Sequence, residues 1–287
     1  MNYVTFLFSF FSAFFSGVMW SDSTHFKKIF YRIKTRKITK DCRIVLLADL
    51  HEKTYGKGNA DLIRAIDHEH PDCIIMAGDM ITAGKEPDLN PVAKLIIALS
   101  KKYPVYYVMG NHELKLREKP WRYKTRYAAF CHALESCGAH VLDNAGKYLP
   151  GTNIKISGLT QELKFYQKRG EVQMDVAYVK RHLGVRDKYS YQILVGHNPE
   201  YGKAYADWGA DLSLAGHYHG GFMRMPFCKS MGLISPKYKL FPRCAGGLIR
   251  YRKSCMIVSR GLGMHTLPLR IFNPGELVVI DLMRMPR

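Results

Sequence analysis

Residues 211–219 read DLSLAGHYH, a short apolar run that ends in a glycine and two histidines. The apolar run predicts a buried strand, and the histidines stand at its carboxyl end. Four earlier segments have the same form, because each ends an apolar run with acid, amide or imidazole side chains. They are Asp49-Leu50-His51, Gly78-Asp79, Gly110-Asn111-His112-Glu113 and Gly196-His197. Ligands of α/β sheets collect beyond the carboxyl ends of strands, so five such segments in succession predict one site.

The sequence around these segments predicts a single α/β domain over residues 41–287. Buried strands are predicted at RIVLLADL (43–50), CIIMAGD (73–79), PVYYVMGN (104–111), YQILVGHN (191–198), DLSLAGHYH (211–219), SCMIVSRG (254–261) and GELVVIDL (275–282). Helical patterns cover residues 60–67, 92–99 and 127–137, with Asn59 as the expected cap of the first and Gly138 closing the last. The stretch KYLPGTNIKISGL (147–159) has hairpin character.

The composition is that of an ordinary globular protein with a strong positive charge. Apolar residues make up 47% and charged residues 23% of the 287 residues, which excludes collagen-like, disulfide-scaffold and disordered chains. Lys and Arg number 43 against 24 Asp and Glu, and the formal charge of +19 favours a nucleic acid, an acidic membrane surface or a phosphorylated substrate. Seven cysteines without a CxxC pair indicate reduced thiols rather than a disulfide framework or a zinc ribbon.

The stretch YVTFLFSFFSAFFSGVMW (3–20) contains six phenylalanines, and no charged side chain precedes Asp22. A helix of this length spans about 27 Å, enough for the apolar core of a bilayer. Residues 1–21 therefore predict a transmembrane anchor, with Trp20 at the interface. A buried core helix is disfavoured because the run is apolar all round. A cleaved signal peptide is disfavoured because neither a preceding Lys or Arg nor a small-residue cleavage site is present.

Residues 22–40 predict a basic juxtamembrane linker. Its basic residues, set against Asp22 alone, are Lys27, Lys28, Arg32, Lys34, Arg36, Lys37 and Lys40. By the positive-inside rule, we expect a single-pass protein of the cell membrane whose catalytic domain is cytoplasmic. The same basic residues would also attract anionic lipid headgroups, at about 1 kcal/mol per residue near the surface.

The strand-end groups form a mixed oxygen and nitrogen donor set of two Asp, one Asn and several His. Such a set suits manganese, iron or zinc, and the lack of thiolates argues against a structural zinc site. The remaining histidines have no strand-end position and are predicted not to be ligands: His68, His70, His132, His140, His182 and His265.

The order DLH, GDM, GNHE, GH and GHYH resembles the calcineurin-like metallophosphoesterase family over nearly all of residues 43–282. LAGHYHGGFMRMPF (214–227) and VSRGLG (258–263) resemble its bacterial, membrane-attached branch, which is related to UDP-2,3-diacylglucosamine pyrophosphatases. The resemblance implies a sandwich of two mixed β-sheets flanked by helices, with two divalent metal ions, manganese before iron or zinc. Tyr218 departs from the small residue often found inside the GHxH motif, which leaves substrate contacts at that point open.

The resemblance also implies roles for individual residues. The implied ligands are Asp49, His51 and His219 for one metal, and Asn111, His197 and His217 for the other. Asp79 would bridge the two ions, and His112 would be a catalytic residue that binds no metal. His112 could protonate the departing oxygen or stabilise the equatorial charge. Either Glu113 or Asp49 could orient an imidazole through a hydrogen bond.

Basic residues are frequent again from residue 221 to 287, with 12 Lys and Arg against 2 Asp and Glu. The candidates for phosphate binding are Arg224, Arg243, Arg250, Arg252, Lys253, Arg260 and Arg270. Apolar residues are interspersed, and these form either a lip for acyl chains or part of the core: Phe222, Met223, Met225, Phe227, Leu233, Ile234, Tyr238, Leu240 and Phe241.

The leading hypothesis is a membrane-attached, two-metal phosphoesterase that hydrolyses a phosphodiester or diphosphate bond of a lipid-linked substrate, similar to UDP-2,3-diacylglucosamine of the lipid A pathway. The alternatives are a nuclease, prompted by the charge of +19, and a general phosphodiesterase on soluble substrates. Nucleic acid is not the expected partner, because the membrane segment is present and no base-stacking module is evident. A metal-binding scaffold without catalysis and a protein phosphatase are further alternatives.

Overall fold

The computed structural model describes residues 3–84, 87–123, 126–167, 172–221, 223–224, 244–264 and 270–286. Within this part of the chain, two six-stranded sheets pack face to face and helices cover their outer faces. This architecture confirms the predicted α/β fold, a two-sheet sandwich flanked by helices.

The first sheet, sheet A, contains the strands that carry the first three polar segments. Its strands are β1 (Phe26–Thr35), β2 (Cys42–Leu47), β3 (Cys73–Ala77), β4 (Val105–Val108), β5 (His140–Val141) and β12 (Gly275–Arg284). Their order across the sheet is β1-β12-β2-β3-β4-β5. The strands β2, β3, β4 and β5 are parallel, β12 is antiparallel to β2, and β1 is parallel to β12. The carboxyl ends of β2, β3 and β4 therefore lie at one edge.

The second sheet, sheet B, contains the strands that carry the two later histidine segments. Its strands are β6 (Ala145–Tyr148), β7 (Ile154–Gly158), β8 (Tyr191–Val195), β9 (Leu212–Ala215), β10 (Gly247–Tyr251) and β11 (Ser254–Val258). Their order is β10-β11-β9-β8-β7-β6, with β7, β8, β9 and β11 parallel and the two outer strands antiparallel to their neighbours. The β6–β7 pair confirms the hairpin predicted at residues 147–159.

The helices lie before and between the strands. They are α1 (Tyr3–Thr24), α2 (Ala60–Asp67), α3 (Asn90–Ser100), α4 (Asn111–Glu118), α5 (Pro120–Tyr123), α6 (Arg126–Ser136), α7 (Val176–Leu183) and α8 (Gly202–Trp208). Residues of α2, α3 and α6 pack on the outer face of sheet A, and residues of α7 and α8 pack on the outer face of sheet B. A third cluster fills the space between the sheets.

Strand β2 shows why the strands that precede the polar segments have continuous apolar runs. Ile44 and Leu46 belong to the core between the sheets, whereas Val45 and Leu47 belong to the core under the helices. All four side chains are 0% exposed. Burying such a side chain contributes about 1.5–3 kcal/mol, so both faces of the strand favour apolar residues. The alternation of polar and apolar residues seen in half-exposed strands is therefore absent here.

Each of the predicted strands is present, and so are the three predicted helices. The predicted capping role of Asn59 is wrong. Asn59 has a left-handed backbone (φ 65°) and makes no side-chain cap bond to α2. Its Oδ1 instead accepts the backbone N–H of Tyr55 at 3.0 Å, so it closes the preceding loop rather than the helix.

The predicted linker over residues 22–40 is wrong, because Phe26–Thr35 forms strand β1. Ten residues of this strand pair in parallel register with Gly275–Arg284 of β12. Phe26, Tyr31 and Ile33 pack against the cores, and Lys28 Nζ forms an ion pair with Glu69 Oε1 at 2.6 Å. The exposed positions of this edge strand carry the basic residues, so the strand pattern is obscured in the sequence.

Helix α1 is exposed along its length and has no buried residue. Its 22 residues are long and apolar enough to span a membrane, judged by length and composition. The phenylalanines of α1 are between 42% and 76% exposed, so this helix is not the buried core helix considered from the sequence. An apolar helix that is exposed over most of its length is typical of a membrane-inserted segment.

Removal of β1 should unfold the domain. We expect a protein that starts at residue 21 to fold, and one that starts at residue 41 to melt at much lower temperature or to aggregate. The second protein exposes the edge of β12 and loses apolar burial worth several kcal/mol, out of a total stability of about 5–15 kcal/mol. Thermal unfolding followed by circular dichroism measures the difference. Equal melting temperatures would restore the linker interpretation of residues 22–40.

Candidate metal centre

The five strand-end segments come together where the carboxyl edges of the two sheets meet. Sheet A supplies the residues that follow β2, β3 and β4, and sheet B supplies those that follow β8 and β9. The polar residues at this edge are Asp49, His51, Asp79, Asn111, His112, His197, His217 and His219. All are buried except His217, which is half-buried. The sequence therefore predicted which side chains would converge.

Six of these side chains form two groups with the donor spacing of metal sites. The groups are Asp49, His51 and His219, and Asp79, His197 and His217, and the donor atoms within each group lie within 4.8 Å of one another. The groups adjoin, because His197 Nε2 lies 3.1 Å from Asp79 Oδ2 and 3.8 Å from Asp49 Oδ1. Two Asp/His groups side by side suit a pair of divalent cations.

Neighbouring groups fix the orientation of the imidazoles. Nδ1 of His197 donates to the carbonyl of Ala77 at 2.6 Å, and Nδ1 of His219 donates to the carbonyl of Gly263 at 3.2 Å. Nδ1 of His51 lies 3.1 Å from the Thr82 hydroxyl. A proton held on Nδ1 leaves the lone pair of Nε2 for a metal, as is usual for metal-binding histidines.

Asn111 provides an independent test of whether a metal fits. It is the first residue of α4 and is 5% exposed. Its Oδ1 has no hydrogen-bond partner among the described residues. A buried carbonyl oxygen without a partner costs about 1–3 kcal/mol, and coordination to a cation would satisfy it. The donor set therefore fits a metal centre, and Asn111 stands where an additional oxygen ligand is expected.

The backbone is strained at five of the implied ligands. Left-handed φ angles occur at Asp49 (49°), His51 (50°), Asp79 (51°), His217 (72°) and His219 (51°). This conformation costs a residue other than glycine about 1–2 kcal/mol. Such strain persists only where the surrounding structure imposes it, and it gathers at functional sites. Here it turns the chain sharply after each strand, so that successive side chains face the same point.

Two glycines allow the loops to approach the carboxylates closely. A Cβ atom on Gly216 would lie 2.5 Å from Asp49 Oδ2, and one on Gly110 would collide with Asp79 Oδ1. Larger residues at these positions would displace the carboxylates. The glycines at the start of the GHYH and GNHE motifs are thus required by packing against the carboxylates.

Burial and mutual repulsion determine the electrostatics of the carboxylates. Burial raises the pKa of Asp49 to about 7, against the opposing attraction of His197. Burial also opposes ionisation of Asp79, but His197, His112 and His51 hold its pKa well below the usual range. Burial lowers the pKa of His197, yet Asp79 and Asp49 outweigh it and raise this pKa to about 9. Without a cation, the centre therefore holds extra protons.

Glu113 organises the loops and contacts no imidazole in the hydrogen bonds observed. Its carboxylate accepts backbone N–H groups from Asp79 at 3.0 Å, Met80 at 2.9 Å and Gly110 at 2.9 Å, and the hydroxyl of Tyr107 at 2.7 Å. Asp49 likewise accepts the backbone N–H of His217 at 3.0 Å. Both acids therefore bind backbone amides, and the expectation that one of them orients an imidazole stays a prediction.

His112 has a defined tautomer. Its Nδ1 accepts the backbone N–H of Ala83 at 2.9 Å, so a neutral ring carries its proton on Nε2. Protonation of Nδ1 would place two N–H groups against each other. His112 also donates its backbone N–H to Asp79 Oδ1 at 2.9 Å, and its ring lies edge-to-face with His51 at 5.1 Å. This geometry favours a neutral hydrogen-bond donor over a charged acid.

Three of the basic candidates for phosphate binding make hydrogen bonds or ion pairs with protein groups in the described part of the chain. Arg270 is 1% exposed, and its Nη2 donates to the carbonyls of Arg260 at 3.0 Å and Gly263 at 2.8 Å. Arg260 pairs with Glu276, and Arg224 Nη1 donates to the carbonyl of Gly220 at 3.1 Å. The predicted phosphate role of Arg270 is wrong, because its guanidinium binds protein carbonyls.

The three basic residues of the β10–β11 hairpin lie elsewhere, at Arg250, Arg252 and Lys253. Strand β11 is parallel to β9, so the turn before β11 lies at the sheet edge opposite His217 and His219. Arg243 and His265 lie outside the described residues, as does the proposed acyl lip apart from Met223. The other predicted non-ligand histidines belong to neither group: His68, His70, His132, His140 and His182.

Sequence reasoning missed Tyr166, which lies beside the centre. The ring of Tyr166 lies 5.1 Å from the ring of His217 and 5.9 Å from that of His197. Tyr218 is 3% exposed and bonds to Glu200, so it packs inside the domain. Tyr166 follows no strand-end motif, and no signal in the sequence marks it.

The chain belongs to the calcineurin-like phosphoesterase family, whose sequence model matches residues 42–221. Members of this family are metal-dependent phosphoester hydrolases. An uncharacterised metallophosphoesterase of Campylobacter jejuni is 28% identical over 264 residues, which cover 87% of this chain and 61% of that protein. This chain thus spans less than two thirds of that relative. The metallophosphoesterase YkuE of Bacillus subtilis is 26% identical, covering 84% of this chain and 78% of that protein.

A more distant relative is named for its activity. The UDP-2,3-diacylglucosamine pyrophosphatase LpxG of Chlamydia muridarum is 22% identical over 282 residues, which cover 85% of this chain and 84% of that protein. The predicted family is therefore confirmed, whereas the branch and its substrate belong to the proposal below.

Proton binding at the centre predicts how the metal-free protein responds to pH. Asp49, Glu113 and His197 have folded-state pKa values of about 7, 7 and 9, above their ordinary values. The protonated groups stabilise the folded state fully when the pH is below their ordinary, unfolded-state pKa values. This stabilisation is lost as the pH rises through their folded-state pKa values. We expect the melting temperature to fall by roughly 5–10 °C from pH 5.5 to 9.

Calorimetry with a chelator and with excess Mn²⁺ measures this effect. The metal-loaded protein should lose this dependence, because the cations replace the protons. The pKa of Asp79 is lowered in the folded state, so its effect on stability has the opposite sign. That effect acts at lower pH, where this carboxylate becomes protonated. A metal-free protein that gains stability steadily up to pH 9 would contradict this electrostatic description.

The tautomer of His112 predicts a graded response to substitution. His112→Ala should lower turnover by roughly 10²–10⁴ while leaving close to two metals bound. His112→Gln should recover at least about tenfold, because its amide N–H can donate from near the position of Nε2. Steady-state kinetics on diesters with good and poor leaving groups measure both effects. The contrary result is that His112→Gln turns over as slowly as His112→Ala and that only diesters with poor leaving groups are slowed. In that case His112 transfers a proton to the leaving group.

Proposed function

We propose that this protein is a membrane-attached, two-metal phosphoesterase that hydrolyses the phosphodiester or diphosphate bond of a lipid-linked substrate. The observation that carries the proposal is the pair of adjoining Asp/His groups at the meeting edges of the sheets. Asp49, His51 and His219 would hold one ion, and His197, His217 and Asn111 the other, with Asp79 between them. Manganese is the proposed metal, because the donors are carboxylate, amide and imidazole.

The residues of the chain divide the work of catalysis. Two bound divalent ions supply charge neutralisation of the phosphate and a water activated at neutral pH. His112 directs its Nε2 proton toward the reacting phosphate and stabilises the charge that develops there. Asp79 holds the backbone of His112, and Glu113 holds the backbone of Asp79, at 2.9 and 3.0 Å. The neutral donor His112 avoids adding a charged acid beside two cations.

A lipid-linked substrate is supported by the position of α1. This exposed apolar helix ends next to the centre, since Asp22 accepts a hydrogen bond from Asn273 and Asn273 donates to the carbonyl of His219. If α1 spans a bilayer, the centre lies near the membrane surface, where a phosphate on a lipid headgroup would be within reach. The relative from Chlamydia muridarum is named for a substrate of this kind, which supports UDP-2,3-diacylglucosamine as the first compound to test.

The orientation in the membrane is part of the proposal. The basic residues that follow α1 favour a cytoplasmic domain by the positive-inside rule. In the structure, Lys27, Arg32 and Lys34 are exposed on β1. These cations can contact anionic headgroups on the same side of the bilayer as the domain.

A nuclease is the second candidate, because the formal charge is +19. Six of the basic residues considered for phosphate binding do not support it. The hairpin cations lie at the opposite sheet edge, and Arg224, Arg260 and Arg270 bind protein groups. These six cations therefore give no support to a basic groove that leads to the centre. General hydrolysis of soluble diesters remains an outcome of the experiment below.

A substrate panel applied to two proteins tests the proposal. The panel contains a bis-aryl phosphodiester, an aryl monoester, UDP-2,3-diacylglucosamine in vesicles, phospholipid vesicles and DNA, each with Mn²⁺, Fe²⁺ or Zn²⁺. One protein is the full chain, and the other lacks residues 1–17. This deletion removes the fully exposed part of α1 and keeps its half-buried end, which includes Asp22 and Ser23.

The full chain should hydrolyse the soluble diester and a vesicle-bound lipid substrate, and the shortened chain should retain only the first activity in full. Membrane confinement raises the local concentration of enzyme and substrate, so we expect at least a tenfold loss on vesicles. Equal activity of both proteins on vesicles contradicts membrane attachment as a catalytic requirement. DNA cleavage that falls steeply with salt, without lipid hydrolysis, would favour the nuclease.

A further inference from the structure

The end of helix α1 is docked on the loop that precedes β12. Asp22 Oδ2 accepts the backbone N–H of Asn273 at 2.8 Å. About two turns earlier in the helix, the ring of Phe15 meets the ring of Phe272 edge-to-face at 6.3 Å. Phe272 has a left-handed backbone (φ 54°), which costs a bulky residue about 1–2 kcal/mol and therefore needs contacts that hold it. Asp22 provides one such contact at the next residue.

A second series of hydrogen bonds connects the same end of α1 to the residue before Asp49. Lys53 Nζ donates to the carbonyl of Ser23 at 2.5 Å and to the hydroxyl of Tyr55 at 2.9 Å. The Tyr55 hydroxyl donates in turn to the carbonyl of Leu262 at 2.6 Å. The backbone N–H of Leu262 donates to Ala48, directly before Asp49. The last turn of α1 thus contacts the loop of Asn273 and the loop of Lys53. Both loops adjoin the donor group Asp49, His51 and His219.

Asn273 transmits the contact to a metal-binding turn. Its side chain is 0% exposed, and its Nδ2 donates to the carbonyls of His219 at 2.7 Å and Gly221 at 2.8 Å. Gly220, between them, has φ 74°, and a Cβ atom there would lie 2.5 Å from Asn273 Oδ1. The amide of Asn273 therefore spans the turn that carries His219 and fits closely against it.

We infer that Asp22 is a positioning residue for the donor group Asp49, His51 and His219. Its carboxylate fixes the backbone of Asn273, and the side chain of Asn273 fixes the turn that presents His219. The inference rests on the proposed function, because it assumes that this group binds a metal. It also means that the end of α1 belongs to the support of the centre, whereas the membrane-spanning part does not.

The expected size of the effect follows from the distance to the metal. Hydrogen bonds that orient a ligand change metal affinity by about 10–100-fold when they are removed. Asn273 makes such a contact, and Asp22 acts one bond further away. We therefore expect about 10–100-fold for Asn273→Ala and roughly tenfold for Asp22→Ala, both confined to one of the two metal sites.

Calorimetric titration of the metal-free full chain with Mn²⁺, in detergent micelles, measures both sites without relying on activity. The variants are Asp22→Ala, Asp22→Asn, Asn273→Ala and the double variant of Asp22→Ala with Asn273→Ala. Asp207→Ala is the matched control, because it removes a carboxylate of α8 that is 48% exposed and pairs with Lys203. Melting temperatures and steady-state kinetics on a soluble diester are measured on the same preparations.

The expected result is a weaker first site and an unchanged second site in Asp22→Ala, with kcat lowered and KM little changed. Asp22→Asn should stay within about threefold of the parent, because its amide oxygen accepts the same N–H. The double variant should bind Mn²⁺ as Asn273→Ala does, since the two residues act in series. The control should match the parent protein in every measurement.

Three results would overturn the inference. The first is a normal pair of Mn²⁺ sites in Asp22→Ala, even if its melting temperature falls. The second is an asparagine variant as defective as the alanine variant, and the third is additive losses in the double variant. Failure of the proposed function looks different, because the unmodified full chain would then bind fewer than two Mn²⁺ or would not hydrolyse the diester.

Discussion

Two buried carboxylates that face one imidazole impose the main constraint on this structure. Asp49 and Asp79 are 0% and 1% exposed, and both lie within 4 Å of His197 Nε2. Two anions brought together away from water repel each other and lose their hydration, so this arrangement needs cations or protons. The positive-φ turns, the glycines that allow close approach and the loop bonds of Glu113 all hold this unfavourable arrangement in place. A fold that tolerates such strain at one edge needs a large apolar core elsewhere, and the sandwich provides it.

The sequence predicted the converging residues because the constraint acts through short segments. Each ligand directly follows a strand that is buried on both faces, so an apolar run and a polar end are adjacent in the chain. The parallel strands then bring the ends together at one edge, as in β2, β3 and β4. Strand order and the meeting of the two sheets were not needed to predict the residues, although they determine the geometry.

The features that the sequence did not predict depend on contacts between distant parts of the chain. Strand β1 was taken for a linker because its exposed face carries lysine and arginine, and its partner β12 lies about 250 residues away in register. Arg270 was one of seven candidates for phosphate binding, because the sequence does not distinguish an arginine that binds an anion from one that binds backbone carbonyls. The tautomer of His112 depends on the N–H of Ala83, which no side-chain pattern reports. In each case a contact with a backbone group determines the role of the residue. Because every residue has the same backbone groups, the sequence does not show where such a contact forms.

Helix α1 and the centre are joined by the same kind of contact. Helix α1 leads directly into β1, β1 pairs with β12, and the loop before β12 carries Asn273. A force on the helix would therefore reach the turn of His219 through a strand pairing and two hydrogen bonds. For an enzyme that acts on a soluble substrate, this connection would serve only to hold the turn that carries His219. For an enzyme whose substrate is held in a bilayer, it fixes the height and tilt of the metal centre above the membrane, and the edge strand has a function beyond closing the sheet.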